Sequence, residues 1–594
     1  MKSFLQTVLA VVVGFFLVML LSLLLLGGVV GSLVAMMGDE PPAPVEDQTV
    51  LYLNLQQPIR DRVVERPLDL LREIESSEPR PLALFDVLEA ISKAREDDRV
   101  VGIVLQTSGG QVPLSIAGEL RGELKAFRES GKFVYAYSDG YNAATYYLAS
   151  VADSVMLHPM GSLEWKGFTS TVAYLKDACA QFGIEPQVIR HGKYKSAVEP
   201  FLDSKMSPAN RQQIGRFLGS MWGNLVDEVS ASRSIPTRQL NQLADELMLL
   251  RPEQAREKGL VDALLYEDQL DSIVCVREGR SPDETPSVTK LSDYVAGMRA
   301  TEGIDFEADK IAVVYAQGDI KDGKEVKEHI GGEGFAGVFD ELRTDQRVKA
   351  VVLRINSPGG SALASEKMYR ALARLKAQKP LVVSMGSYAA SGGYYMAAPA
   401  DRIIASPYTL TGSIGVFGMY LTFGKLTREK LRINMETVTT NAHSDFGSLY
   451  RPLDEQERDV IQRSIKRTYD VFLRRVAEGR GMSTGDVDAI GQGRVWTGED
   501  AKPLRLVDEL GGLRDAIALA AERAGLEDYR LSTYPQIKRE PYEQIMDAVF
   551  KTKAGLLERY LPALGEEATF RHGVEALVSK QGIRAELPVR FEVK

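Results

Sequence analysis

In the stretch Leu381-Val-Val-Ser-Met-Gly-Ser-Tyr-Ala-Ala-Ser391-Gly392-Gly393, an apolar strand runs into a turn, and a helix of small residues begins near Ser391 and stops at Pro399. A hydroxyl at that place sits where helix N–H groups point outward, so Ser391 is a candidate nucleophile. The N–H of Gly392 is then a candidate donor to a developing oxyanion. The plain alternative is a serine that caps the helix. A second donor is suggested by Asn356-Ser357-Pro358-Gly359-Gly360, where two glycines after a strand ending at Ile355 let the backbone approach a ligand without a Cβ clash. Alone this is a turn. Two such loops at the carboxyl ends of neighbouring strands are more informative, because open α/β sheets bind ligands along that edge.

A nucleophilic serine needs a base, and there are few. His443 and Asp445 are close in sequence, yet a triad carboxylate must reach the far nitrogen of its histidine, which a separation of two residues rarely arranges. A lysine kept neutral by desolvation is the other option, since burial disfavours the charged amine. Gly192-Lys193-Tyr194-Lys195-Ser196-Ala197-Val198 sets two lysines beside small and apolar neighbours. By themselves both read as solvated surface charges.

The elements that must hold these residues come in duplicate. Asp97 to Leu105 (DDRVVGIVL) echoes Asp345 to Leu353 (DQRVKAVVL) at an offset of 248, and Ser108-Gly109-Gly110 echoes the glycine turn after Ser357. The same offset returns in Tyr146-Tyr147 against Tyr394-Tyr395 and in Ala152-Asp153 against Ala400-Asp401. Each copy opens on a short apolar run, Val50 to Gln56 or Ile311 to Gln317. Strand-like runs such as Ala350–Ile355 and Leu381–Ser384 alternate with helix-period stretches such as Ser365–Lys376, a βαβ rhythm that predicts an α/β fold with a mainly parallel sheet in each repeat. The boundaries expected are a first repeat over 50–276, a linker over 277–305, a second repeat over 306–534 and a carboxyl-terminal extension over 535–594. The extension carries helix periodicity over 542–561.

Composition narrows the class. The 594 residues are 44% hydrophobic and 26% charged, with a formal net charge of -9, which excludes a disordered chain and argues against a nucleic-acid partner. Two cysteines, Cys179 and Cys275, and five histidines show no metal-ligand spacing, and the cysteines read as lone core thiols. No metal and no cofactor are expected. Gly332-Glu-Gly-Phe-Ala-Gly337 fits a dinucleotide-loop pattern, but a polar stretch separates it from the preceding strand, so it reads as a loop entering a helix. Asp319 to Lys324 lacks the ligands of a calcium loop.

One segment departs from the average. Ser3 to Gly38 holds no charged residue, and about 20 apolar residues suffice to span a ~30 Å hydrocarbon core. Lys2 before it and four acidic residues after it place the start in the cytoplasm and the body across the membrane. Residues 1–38 are thus expected to be an uncleaved transmembrane anchor and 39–49 its tether. A cleaved signal peptide is the competing reading, weakened by the length of the run and the poor small-residue site at Leu33-Val34-Ala35.

Tyr194-Lys-Ser-Ala-Val-Glu-Pro-Phe201, Asn356-Ser-Pro-Gly-Gly-Ser361, Ala389-Ala-Ser-Gly-Gly-Tyr394 and Thr411-Gly-Ser-Ile-Gly-Val416, in this order on a duplicated body, closely resemble the signal peptide peptidase A (protease IV) family in its tandem-repeat form. The resemblance implies two ClpP/crotonase-like repeats and a serine endopeptidase with a Ser–Lys dyad: Ser391 as nucleophile, Lys195 as general base and Ser413 orienting the lysine. It implies oxyanion donation from the N–H of Gly392 and from the Gly359-Gly360 turn, either glycine. It further implies a homotetramer on the bacterial inner membrane, its body periplasmic, that degrades released signal peptides and similar hydrophobic peptides.

The repeat register bears on the pair independently. The 248 offset sets Ala143 opposite Ser391, so the first repeat lacks the hydroxyl. A local offset of 250, from Val188 and Val438, sets Asp445 opposite Lys195, in a stretch without lysine. Each repeat keeps one member, and a site must bring the two repeats, or two chains, together. An acyl-CoA enzyme of the same fold and an inactive peptide-binding scaffold remain the alternatives.

Overall fold

The computed structural model describes residues 45–63, 79–246, 251–301, 307–536 and 582–586, together with Gly14. Apart from Gly14, the expected anchor lies outside the described residues, as do most of the tether and the stretch 542–561. Among the described residues no helix is long and apolar enough to cross a membrane. Val45–Val63, Pro81–Ile537 and His572–Lys594 make up one compact unit; the other, Met1–Pro44, Val64–Arg80 and Lys538–Arg571, falls almost wholly outside the described residues.

The compact unit is α/β, with a mainly parallel sheet for each repeat; the second sheet extends through Leu410–Gly412 to an antiparallel edge strand, Val495–Thr497. In the first, Thr49–Asn54, Val100–Gln106, Phe133–Tyr141 and Ser154–Leu163 lie side by side, edged by Val288–Lys290 and Ala263–Leu264. In the second, Lys310–Gln317, Val348–Ser357, Leu381–Ala390 and Arg402–Ala405 follow the same order, edged by Arg530–Tyr534 and Glu509–Leu510. The apolar run Ala350 to Leu353 is fully buried, as a parallel strand covered on both faces requires. Crossover helices Leu84–Glu96 and Leu114–Glu129 in one half correspond to Gly332–Thr344 and Ala362–Lys376 in the other.

A third sheet joins the halves. Its strands are Ile330–Gly331, Ile320–Lys321, Gly359–Ser361, Gly582–Glu586, Val416–Thr422 and Glu185–His191, in that order. The last pair is antiparallel, from Val416 opposite His191 to Thr422 opposite Glu185, so a strand of the first half closes the edge of a sheet built by the second. The cores merge as well: Ala390, Tyr408, Leu410 and Val495 pack into the first half's core, and Ile189 into the second's.

Three expectations need revision. The segment 277–305, expected as a linker, carries the edge strand Val288–Lys290, paired with Val50–Tyr52, and the helix Leu291–Thr301. Its Pro/Gly-rich part is only a turn, and a strand of three residues is too short to show a period. Gly332 to Gly337 belongs to a helix from its first residue rather than to a loop. Two of the glycines there serve close packing: a Cβ on Gly332 would come within 2.6 Å of Ala364 Cα, and one on Gly334 within 2.5 Å of Lys324 O. The register that opposed Val438 to Val188 has no counterpart in the fold, because Val438 is fully exposed in a stretch without strand, and the partner of Val188 is Met419.

A buried charge cluster ties the halves behind the glycine turn. Arg354, wholly buried, donates to Asp61 Oδ1 (2.8 Å) and Glu119 Oε1 (2.6 Å) of the first half and to Ser384 Oγ (2.8 Å) of its own. Asn356 Nδ2 donates to the other oxygen of Asp61 at 2.7 Å. Burial by itself would lower the guanidinium pKa, but Asp61 and Glu119 outweigh it and hold the charge firmly. Burial pushes the Glu119 carboxyl up, and Arg354 offsets this only in part. Arg354→Leu would leave two buried carboxylates without their cation, a loss of about 3–5 kcal/mol. Without Arg354 the Glu119 carboxyl loses the charge that offsets its burial, so its folded pKa rises further, and that additional rise costs stability only as pH climbs and the carboxyl must ionise. The variant's deficit in urea midpoint should therefore be larger at pH 8 than at pH 5; an equal deficit at both would contradict this account.

Candidate active site

Ser391 occupies the N-terminal cap position of helix Gly392–Ala397, at the end of strand Leu381–Ala390, but its side chain makes no cap bond. Its backbone is at φ 57 and ψ -113, a region that non-glycine residues enter only under constraint, at a cost of about 1–3 kcal/mol. Two bonds hold it there: the Ser391 N–H donates to Gly412 O (2.8 Å), and the Tyr395 N–H donates to Ser391 O (2.9 Å). The corresponding helix in the first half, Ala143–Ala149, has an ordinary cap. Asn142 at φ -92 and ψ 174 accepts from the Thr145 N–H, and Thr145 answers with a reciprocal bond. The strained turn is confined to the repeat that has the hydroxyl.

Lys195 reaches this turn from the other half. The strand Glu185–His191 delivers it across the third sheet, and its Nζ stands 2.7 Å from Ser391 Oγ, within hydrogen-bond reach. The amine donates to Ser413 Oγ and Ser413 O, each at 3.1 Å. All three residues are completely buried. The structure therefore brings Ser391, Lys195 and Ser413 together within one chain. Ser413 is itself held at φ 50, with its N–H donating to Arg494 O at 2.7 Å.

The glycine turn lies alongside. Gly393, in the first turn of the serine's helix, is so close to Ser357 that a Cβ would meet its carbonyl oxygen at 2.9 Å. Gly359 and Gly360 have φ 105 and 156, and a Cβ on Gly360 would lie 2.0 Å from Ile320 O. Only glycine fits there. Ser357 Oγ donates to Gly318 O (2.7 Å) and accepts from the Gly359 N–H (3.2 Å), so this N–H is engaged inside its own turn.

His443 lies elsewhere, on the exposed stretch before helix Glu455–Arg480, its ring against Gln456, Asp454 and Glu457. Asp445 is bound by Arg451 through two bonds of 2.7 Å. His443, Asp454 and Glu457 come within metal-ligand reach of one another, but Arg451 already supplies the positive charge at Glu457. Cys179 and Cys275 are free and buried.

Sequence reasoning missed the residues that support Lys195. Gln213, on helix Pro208–Arg233, donates to Tyr194 O (3.0 Å) and Ser196 Oγ (2.8 Å) and accepts from the Val495 N–H (3.3 Å), pinning the lysine turn to the second half. Gln492 O accepts from the Tyr194 N–H at 2.8 Å. Gly493 presses on the lysine backbone: at φ 78, its Cβ would stand 2.6 Å from both Lys195 Cβ and Lys195 N. A glycine between Gln492 and Arg494 gave no signal, because the neighbour it accommodates is almost 300 residues away in sequence.

The model of the family described as Peptidase family S49 matches residues 126–273 and 373–527, once in each half. Protease 4 of Salmonella typhi is 38% identical over 493 residues, 81% of this chain and 77% of its own length. Protease 4 of Haemophilus influenzae is 36% identical over 82% of this chain and 80% of its own. The chloroplastic serine protease SPPA of Arabidopsis thaliana is 31% identical over 83% and 74%. Among solved structures, a ClpP1 mutant of Listeria monocytogenes is similar over 34% of this chain and 94% of its own, at 16% identity and a TM-score of 0.24, too low to bear on the fold.

Gly493→Ala tests the support of the amine. A displacement of about 1 Å at a reacting group can cost ~100-fold in rate, so labelling of Ser391 by a serine-directed phosphonate should slow by about that factor while the chain stays folded by circular dichroism. An unchanged labelling rate would show that Gly493 does not position Lys195.

Proposed function

The chain belongs to peptidase family S49 and is a serine protease, and from that premise we propose that Ser391 is its nucleophile and Lys195 its general base. The single observation that carries this reading is the 2.7 Å contact between two fully buried side chains from opposite repeats. Burial favours the neutral amine. With its lone pair free, Lys195 takes the Ser391 hydroxyl proton as Oγ attacks the peptide carbonyl carbon, and later returns that proton to the leaving amine. Ser413 offers two oxygens to the amine's N–H groups, which turns the lone pair toward Ser391. The N–H of Gly392 and one N–H of the Gly359-Gly360 turn face the developing oxyanion. The strain at Ser391 fits this assignment, since it holds the hydroxyl away from the cap bond it would otherwise make.

Ser391→Ala and Lys195→Ala should each reduce peptide hydrolysis to background while the unfolding midpoint changes little; activity persisting in either variant would refute the dyad. In the parent, kcat/KM should fall on the acid side as the amine protonates, with an apparent pKa well below the ~10.4 of a free lysine. A profile flat to about pH 5 would exclude a lysine base.

Hydrophobic peptides, including signal peptides released near a bilayer, are the proposed substrates, and each repeat is read as ClpP/crotonase-like. The apolar cluster of Val198, Phe417, Met419 and Leu421, next to both Lys195 and Ser413 along the chain, supports an apolar preference. The uncharged run from Ser3 to Gly38 supports a membrane anchor with the body on the periplasmic side, and the resemblance to tandem-repeat peptidases supports a homotetramer. The full chain should leave the membrane only in detergent and sediment there as a tetramer. Release by salt, or a fully active monomer, would overturn these two points respectively.

A further inference from the structure

Two arginines stand at the lysine turn, and among the described residues neither is ion-paired with a carboxylate. Arg494 directly follows the glycine that presses on Lys195, and its guanidinium carbon lies 4.9 Å from the ring centre of Tyr194 and 4.3 Å from that of Trp496. Its Nε is buried and without a hydrogen-bond partner. Arg190 donates to the Lys195 carbonyl oxygen at 3.4 Å. The carboxylates of the neighbouring segments are held by neutral donors instead. Asp488 accepts from Tyr469 Oη (2.6 Å) and Gln492 Nε2 (2.5 Å), and Glu199 accepts from Tyr174 Oη (3.2 Å) and Asn210 Nδ2 (2.7 Å). Elsewhere around the turn, exposed Lys193 lies 5.5 Å from the Tyr194 ring, His191 stacks on Tyr469, and Arg216 is paired with Asp500. Residues 389–393 and 411–422, which supply Ser391 and Ser413, include no charged residue.

We propose that Arg494, backed by Arg190, keeps the Lys195 amine neutral: a fixed positive charge without a counter-ion opposes a second one at Nζ. This rests on the dyad reading, since only a lysine that acts as a base must be neutral to work. Burial disfavours the ammonium, but a carboxylate drawn alongside would restore it; a like charge pushes the same way as burial. Two unit charges about 10 Å apart at an effective dielectric of ~20 shift a protonation equilibrium roughly tenfold. A guanidinium suits this place because its plane stacks between two rings, which stabilise the cation without supplying a negative charge. The carbonyl oxygen of Arg494 also accepts the Ser413 N–H at 2.7 Å, so the residue that sets the charge holds the serine that binds the amine. Arg494 is thus a positioning residue that acts through Lys195.

The test is the pH profile of Ser391 labelling by a serine-directed phosphonate, measured on the full chain. In the parent the rate should fall on the acid side as Lys195 protonates. Arg494→Gln should move that limb up by about one pH unit and leave the alkaline plateau in place, because the amine is neutral there in both proteins. Arg494→Lys, which keeps the charge, should leave the limb where the parent has it. A purely structural role would lower the rate at every pH without moving the limb; that outcome overturns the proposal, and so does an equal shift in Arg494→Lys. Should Arg494→Gln fail to fold, Arg190→Gln decides in its place, since it leaves the ring stack intact: a limb moved up supports the proposal and an unmoved limb overturns it. A parent profile with no acid limb, or Lys195→Ala labelled as fast as the parent, refutes the dyad reading instead.

Discussion

The antiparallel pairing of Glu185–His191 with Val416–Thr422 is the contact on which the site depends. It is a backbone ladder between halves, so its register sets where the chain beyond His191 goes. Lys195, four residues on, is thereby brought against Ser391 and Ser413. A slip of one residue would turn every side chain of the strand to the other face. An amine on a long flexible stem would then have no reason to stay buried. The ladder fixes its path, and Gln213, Gln492 and Gly493 fix its last turn.

Burial is the second requirement, and neither half meets it alone. An amine and a hydroxyl removed from water need partners in place, and here each is the other's partner, with the two oxygens of Ser413 beside them. The cluster of Arg354, Asp61 and Glu119 makes the same kind of cross-half commitment behind the glycine turn, and Asn356 carries it into that turn through Asp61. A buried ion cluster is a poor source of net stability, but it penalises any other arrangement of the same groups. Its effect here is to couple the seating of the first half on the second to the placement of the glycine turn.

Strain marks the repeat that carries Ser391. The two repeats share strand order and crossover helices, yet the helix after the third strand starts with an unstrained, fully capped Asn142 in one and with Ser391 at positive φ in the other. The relaxed copy keeps its fold and supplies the lysine. The strained copy gives up stability to keep the hydroxyl free of the cap bond, and the bonds to the Gly412 carbonyl and from the Tyr395 N–H maintain it.

Much of this was readable in the sequence, because it depends on local pattern. The duplicated α/β order, the strand-turn-helix around Ser391, the glycine turn at Gly359-Gly360 and the absence of the Ser391 hydroxyl from the first repeat follow from periodicity, small residues and a constant offset. These are properties of neighbours in the chain. The choice of Lys195 over Lys193 came only through family resemblance, since both lysines sit among similar neighbours. The strand at Val288–Lys290, the false register at Val438, the support from Gly493 and the place of 582–586 in the third sheet lay beyond sequence reading. Each depends on which distant segment lies opposite, and a short edge strand or a lone glycine carries too little pattern to name its partner. The sequence by itself determined which residues could react; the tertiary structure decided that they meet within one chain, because only the pairing of a first-half strand with a second-half strand brings residues 196 apart to 2.7 Å.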